Sequence, residues 1–279
     1  MPEAPSKERF PLNILTNQKT SAGTAYDVAG SADQPCVVLI HGLGLSRCLW
    51  HDHWLNFAKS YRVIRYDLPG HGDSAPMKGV GDLTELSDQI VELLDTLEIQ
   101  QAALVGFSIG GMINRRFALD HADRLSALAI LNSPHDRGEE AQIAVEQRAQ
   151  KVRDQGASAT LDDALKRWFT PKYLSSGSGV ERVRHWRDQV DFDSYAKAAW
   201  ILANGVRELI HPRPPIKHPC LVMTCQNDSG STPAMSDSIS AEIAGSDVII
   251  VPELQHLGLM EQPELFTKPV LNFLEGNLR

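Results

Sequence analysis

A serine between two glycines, a histidine near the far end of the chain and an aspartate between them are the residues of this sequence best suited to covalent chemistry. Gly106-Phe107-Ser108-Ile109-Gly110 fits the pattern G-x-S-x-G. An apolar run at 102–105 precedes it, and Met112, Ile113, Phe117 and Ala118 follow at helical spacing. Ser108 therefore falls on a sharp strand-to-helix turn that exposes its hydroxyl. So tight a turn leaves no room for neighbouring Cβ atoms, which accounts for Gly106 and Gly110. An alcohol becomes a useful nucleophile only when a base takes its proton and an acid orients that base. His256 lies just after the last strand-like run, where a loop can carry an imidazole over the serine; His211 and His218 sit among prolines and read as loop residues. Asp228, in the loop after the preceding strand, completes the order serine, acid, histidine. Asp237 falls within the next helix and Asp247 in the turn before the last strand, so both read as solvated carboxylates. The strand after the nucleophile helix ends Leu131-Asn132-Ser133, and Asn132 cannot do an acid's work.

Attack by Ser108 on a carbonyl would place negative charge on oxygen, and each preorganised backbone N–H aimed at it contributes ~2.7–4 kcal/mol. His41-Gly42-Leu43-Gly44 follows directly on the apolar run 36–40. The amides of Leu43 and Ile109 are the candidate donors, and the His41 ring is expected to hold the loop backbone. His51 and His53 do not form a metal pair, because helix positions i and i+2 point to different faces. Four cysteines, Cys36, Cys48, Cys220 and Cys225, are too few and too irregular for a disulfide framework or zinc site. No cofactor and no metal are expected.

These residues need a scaffold that brings distant loops to one edge. Short apolar runs at 36–40, 62–66, 102–106, 125–131, 220–224 and 248–251 alternate with helical patterns, as in a mostly parallel sheet covered on both faces. Residues 10–29 can supply two further edge strands. Leu83, Leu86, Ile90, Leu93, Leu94 and Leu97 form one apolar stripe on a helix. After Ser133 the alternation stops, and roughly eighty residues read as helices with a loop-like stretch at 175–179. The prolines at 212, 214 and 215 end that block. The fold class is α/β: residues 1–134 and 216–279 form a core domain, and 135–215 a helical cap inserted after the sixth strand.

A formal net charge of −8 with no basic run argues against nucleic acid. No apolar stretch approaches the ~20 residues of a membrane span. The first nine residues lack the apolar core of a signal peptide, so a cytoplasmic protein acting on a small molecule is expected, with a homo-oligomer left open.

Taken together, His41-Gly42, the Tyr66-Asp67-Leu68-Pro69-Gly70-His71-Gly72-Asp73-Ser74 loop, the serine turn, Asp228 and His256 resemble the α/β-hydrolase superfamily over essentially the whole chain. Residues 106–112, 167–171 and 256–263 look like 3-oxoadipate enol-lactonases and hydrolases of acylaminomethylene succinates. The resemblance implies cleavage of an ester, lactone or activated amide of a small carboxylated metabolite through an acyl-enzyme. Carbon–carbon bond hydrolysis, cofactor-free haloperoxidase-like activity and a non-enzymatic ligand receptor are the alternatives. Many relatives carry Gly where Cys225 stands, so the turn holding Asp228 is expected to be built differently. A carboxylated substrate needs arginine partners. Arg148 and Arg167, with Trp168 beside the latter, are the candidates, against surface or packing roles. Between Asp136 and Asp191 ten Lys/Arg face ten Asp/Glu, so no net basic pocket follows from composition.

Overall fold

Eight short strands assemble into one sheet in a computed structural model that describes residues 13–278. The reading of the first nine residues lies outside the described residues, as do positions 10–12 of the proposed edge-strand region. The strands are β1 (Ile14–Lys19), β2 (Ala25–Ala29), β3 (Cys36–Ile40), β4 (Arg62–Tyr66), β5 (Ala102–Phe107), β6 (Leu125–Leu131), β7 (Cys220–Cys225) and β8 (Asp247–Val251). Their spatial order is β1-β2-β4-β3-β5-β6-β7-β8. The pairs β1/β2 and β2/β4 are antiparallel, and every other pairing is parallel. Asp247 opens β8 rather than lying in the turn before it.

Register matters most for function. Ile40 pairs with Gly106, Phe107 with Leu131, Leu131 with Met223 and Cys225 with Val251. The carboxyl ends of β3, β5, β6, β7 and β8 therefore lie along one edge, where α/β sheets carry their ligand sites.

Side chains alternate between two cores with the period of a strand: Val38 and Ile40 enter one, Val37 and Leu39 the other. Helices α1 (Trp54–Phe57), α2 (Leu83–Thr96) and α3 (Ile109–Asp120) follow β3, β4 and β5 in chain order. The expected leucine stripe puts Leu83, Leu86, Ile90, Leu93 and Leu94 of α2 in the first core, each fully buried and each stabilising by ~1.5–3 kcal/mol. Asp82 caps α2 by accepting the Glu85 amide.

Between β6 and β7 the chain forms α4 (Gly138–Gln155), α5 (Leu161–Trp168), α6 (Pro171–Ser176), α7 (Ser178–Asp188) and α8 (Phe192–Asn204), with 3₁₀ turns. The loop expected at 175–179 is not there. Gly177 alone joins α6 to α7, at φ +86°, a conformation open to glycine, so a single residue turns the corner. The chain closes with α9 (Pro233–Glu242), α10 (Gly258–Glu261) and α11 (Glu264–Asn277). Among the described residues no helix is long and apolar enough to cross a membrane.

Candidate active site

Ser108 occupies the turn between β5 and α3 with φ +58° and ψ −116°, a strained backbone that costs on the order of 1–3 kcal/mol. Its amide donates to the Leu131 carbonyl at 2.8 Å, and its carbonyl accepts from Gly111 at 3.0 Å, so both flanks of the turn are pinned. A Cβ on Gly106 would overlap the Gly110 carbonyl, which is why glycine is required there. Because Ser108 is the residue before α3, the Ile109 amide stands at the helix N-terminus, where N–H groups have no intrahelical partner and the dipole favours negative charge. The Ile109 side chain turns away into the first core.

Asp228 and His256 come from the loops after β7 and β8. Thr232 caps α9 by accepting the Met235 amide, with Pro233 at the first helical position, and this ends the loop that carries Asp228. The Nδ1–H of His256 donates to Asp228 Oδ2 at 2.6 Å, so Nε2 is left with its lone pair. Asp228 Oδ1 accepts from the amides of Gly230 and Ser231 at 2.9 Å each, and Oδ2 also accepts from Asn132 Nδ2 at 2.9 Å. Burial pushes the carboxyl pKa up, but the charge and hydrogen bond of His256, with Asn132 and Ser231, outweigh it and hold Asp228 below its usual range. Cys225 ends β7 with its thiol buried against Gly258, and the turn is closed by the Asp228 amide donating to the Cys225 carbonyl at 3.1 Å.

Phe107 stacks obliquely on one side of His256, at 4.9 Å between ring centroids, and Trp168 lies at 6.0 Å. The imidazole is thus held beside the residue that precedes Ser108. Ser108, Asp228, His256 and Leu43 border one cleft of about 980 Å³, including its open mouth.

The loop bearing Leu43 is clasped by two buried imidazoles. His41 Nδ1–H donates to the Gly42 carbonyl at 2.8 Å, while its Nε2 accepts the Leu68 amide at 2.9 Å. His71 Nε2 accepts the Gly44 amide at 3.0 Å, and its Nδ1–H donates to the Pro69 carbonyl. Both rings must be neutral to accept these amides; burial lowers His41 to about 4 and His71 to about 3. Below the loop Arg47 bridges Asp27, Asp67 and Asp73.

Arg148, Arg167 and Trp168 all line the cleft, joined by two arginines that pattern reading missed, Arg137 and Arg187. Neither carried a local signal: Arg137 stands just before α4, and nothing in helical periodicity says which arginine of the charged α7 faces inward. Burial, reinforced by mutual repulsion, lowers Arg137 to about 10 and moves Arg148 the same way. Segment 166–170 is tied to the His256 loop: Leu257 donates to the Trp168 carbonyl at 2.8 Å, and Glu261 accepts from Thr170. Asn132 also went unrecognised: it cannot serve as an acid, but its Nδ2 donates to the candidate acid Asp228. His53 is a packing residue, hydrogen-bonded to Thr267 and the Leu259 carbonyl. His211 pairs with Glu242, Asp237 lies within α9, and the four cysteines are free thiols.

A mostly parallel sheet, helices on both faces and reactive side chains gathered on loops at its carboxyl edge define a hydrolase of the α/β class. The chain belongs to the alpha/beta hydrolase family, whose model matches residues 37–268. It is 32% identical over 255 residues to 3-oxoadipate enol-lactonase 2 of Acinetobacter baylyi, covering 88% of this chain and 93% of the relative. It is 28% identical over 260 residues to the (E)-2-((N-methylformamido)methylene)succinate hydrolase of the same organism, covering 93% and 97%. The crystal structure of the enol-lactonase from Burkholderia xenovorans superposes with a TM-score of 0.83 at 30% identity, over 90% of this chain and 96% of that one.

Proposed function

We propose that the protein hydrolyses an ester, lactone or activated amide of a small carboxylated metabolite through an acyl-enzyme on Ser108. His256 Nε2 takes the hydroxyl proton as the oxygen attacks the carbonyl carbon, and Asp228 steadies the imidazolium that results. The oxyanion is received by the amides of Leu43 and Ile109. Collapse of the tetrahedral intermediate expels the leaving group, which takes the proton back from His256; water then repeats the sequence on the acyl-enzyme.

The observation that carries this reading is the His256–Asp228 pair at 2.6 Å, bordering the same cleft as a serine on a strained turn. The substrate class is supported by the arginines of that cleft and by the relatives' names, which specify an oxoadipate lactone and a methylene succinate. Helices α4–α8 would act as the cap, with residues 1–134 and 216–279 as the catalytic core.

The test is Ser108→Ala on aryl esters, enol-lactones and acylaminomethylene dicarboxylates, with mass spectrometry of the wild type quenched during turnover. Turnover is expected to fall by ~10⁴-fold or more, with an acyl adduct on the peptide containing Ser108. A variant that keeps most of its rate rules out covalent catalysis through this serine.

A further inference from the structure

Arg187 faces the same cleft, and no step of the proposed hydrolysis uses it. It projects from α7, is only 2% exposed, and among the described residues forms no ion pair. Its Nη1 donates to the Ala157 carbonyl at 3.0 Å, while its buried Nε has no acceptor. Its guanidinium carbon lies 4.6 Å from the Tyr195 ring centroid and 5.5 Å from that of Trp168. Aromatic faces offset part of the cost of burying a cation, but they are no substitute for an anion. A buried guanidinium kept without a counter-charge is ready for one that arrives with a ligand.

Its location says which part of the ligand. Gly44 has φ +70°, and a Cβ there would overlap Nε, Nη2 and Cζ of Arg187, so the guanidinium packs directly against the residue after Leu43. The cation therefore stands at the oxyanion-loop end of the cleft. Arg137, Arg148 and Arg167 form another group, each close enough to the next to depress its pKa.

We propose that Arg187 binds a carboxylate on the acyl part of the substrate, close to the carbonyl that Ser108 attacks, and so selects acids that bear one. The assignment rests on the reading of Ser108 and Leu43 given above. Arg187 is then a specificity residue with a role separate from those of Arg137, Arg148 and Arg167.

The experiment compares monomethyl succinate with methyl butyrate, two esters of similar length differing in a terminal carboxylate against a methyl group. Initial rates are followed by pH-stat for the wild type, Arg187→Met and Arg187→Lys. The readout is the ratio of kcat/KM for the acid ester to that for the neutral one. Wild type should prefer the acid ester; Arg187→Met should lower the ratio by about 10–100-fold, mainly through KM, and Arg187→Lys should fall between. A wild type without the preference, or an Arg187→Met ratio equal to that of wild type, overturns the assignment. Equal losses on both esters do so too, since they mark a scaffold or oxyanion role. Should wild type cleave neither ester, the proposed function is what suffers. Arg187 is then judged by calorimetry of succinate against butyrate: loss of a succinate preference in Arg187→Met supports the assignment, and its persistence or prior absence overturns it.

Discussion

Replacing Asp228 with asparagine tests whether the carboxylate acts by fixing a tautomer. Four donors converge on Asp228: the Gly230 and Ser231 amides on Oδ1, and His256 Nδ1 and Asn132 Nδ2 on Oδ2. An asparagine side chain offers one acceptor oxygen in place of two. The backbone amides at Oδ1 cannot reverse, whereas His256 can exchange tautomers and Asn132 can turn over its amide, whose Oδ1 is buried without a partner. The new NH₂ group therefore takes the place of Oδ2. It donates to His256 Nδ1, and the proton moves to Nε2, where it blocks removal of the serine proton. Turnover should fall ~10⁴-fold, or ~5.5 kcal/mol of transition-state stabilisation. The fold should lose only ~1–3 kcal/mol, the worth of hydrogen bonds to a charged group. Ester turnover measures the first, urea unfolding the second, and ¹⁵N shifts of the imidazole report the tautomer. A variant within tenfold of the wild-type rate refutes the reasoning, and so does a large loss with the proton still on Nδ1.

Two further perturbations follow from buried ionisable groups. Burial lowers His41 and His53 to about 4 and His71 to about 3, while in the unfolded chain each titrates near 6.5, so between these limits unfolding takes up protons. The stability they contribute is complete above pH ~6.5 and is lost on acidification, at ~1.4 kcal/mol per pH unit for each ring once the pH is well below that value. Urea midpoints measured from pH 7 to 4.5 should fall steeply, and an unchanged midpoint over pH 6 to 4.5 contradicts the neutral-imidazole clasp. Arg47→Met leaves Asp67 buried without its cation and should cost ~3–5 kcal/mol; a loss under 1 kcal/mol by denaturant titration shows that the network does not hold the loop.

What the sequence exposed and what it hid divide along a physical line. Ser108 was legible because a strained turn dictates its neighbours: Gly106 cannot be another residue, and a strand and helix must flank it. Asp228 and His256 were legible because parallel strands end in register, so a loop's place in the chain gives its place on the edge. Arg187 and Arg137 were not. Arg137 stands just before α4 and Arg187 on α7, and their aim depends on how the helices between β6 and β7 settle over the sheet, which local periodicity does not encode. Composition misled there in two ways. Serines and glycines at 175–179 look like a loop, yet they end one helix and begin the next around Gly177. Ten positive and ten negative side chains cancel in a count but not in space. Asp162 and Asp163 reach into solvent, where water screens them, while Arg187 is enclosed where it does not. A cleft lined with four arginines can thus arise in a segment of zero formal charge, because selectivity for an anion is decided by which charges are denied water.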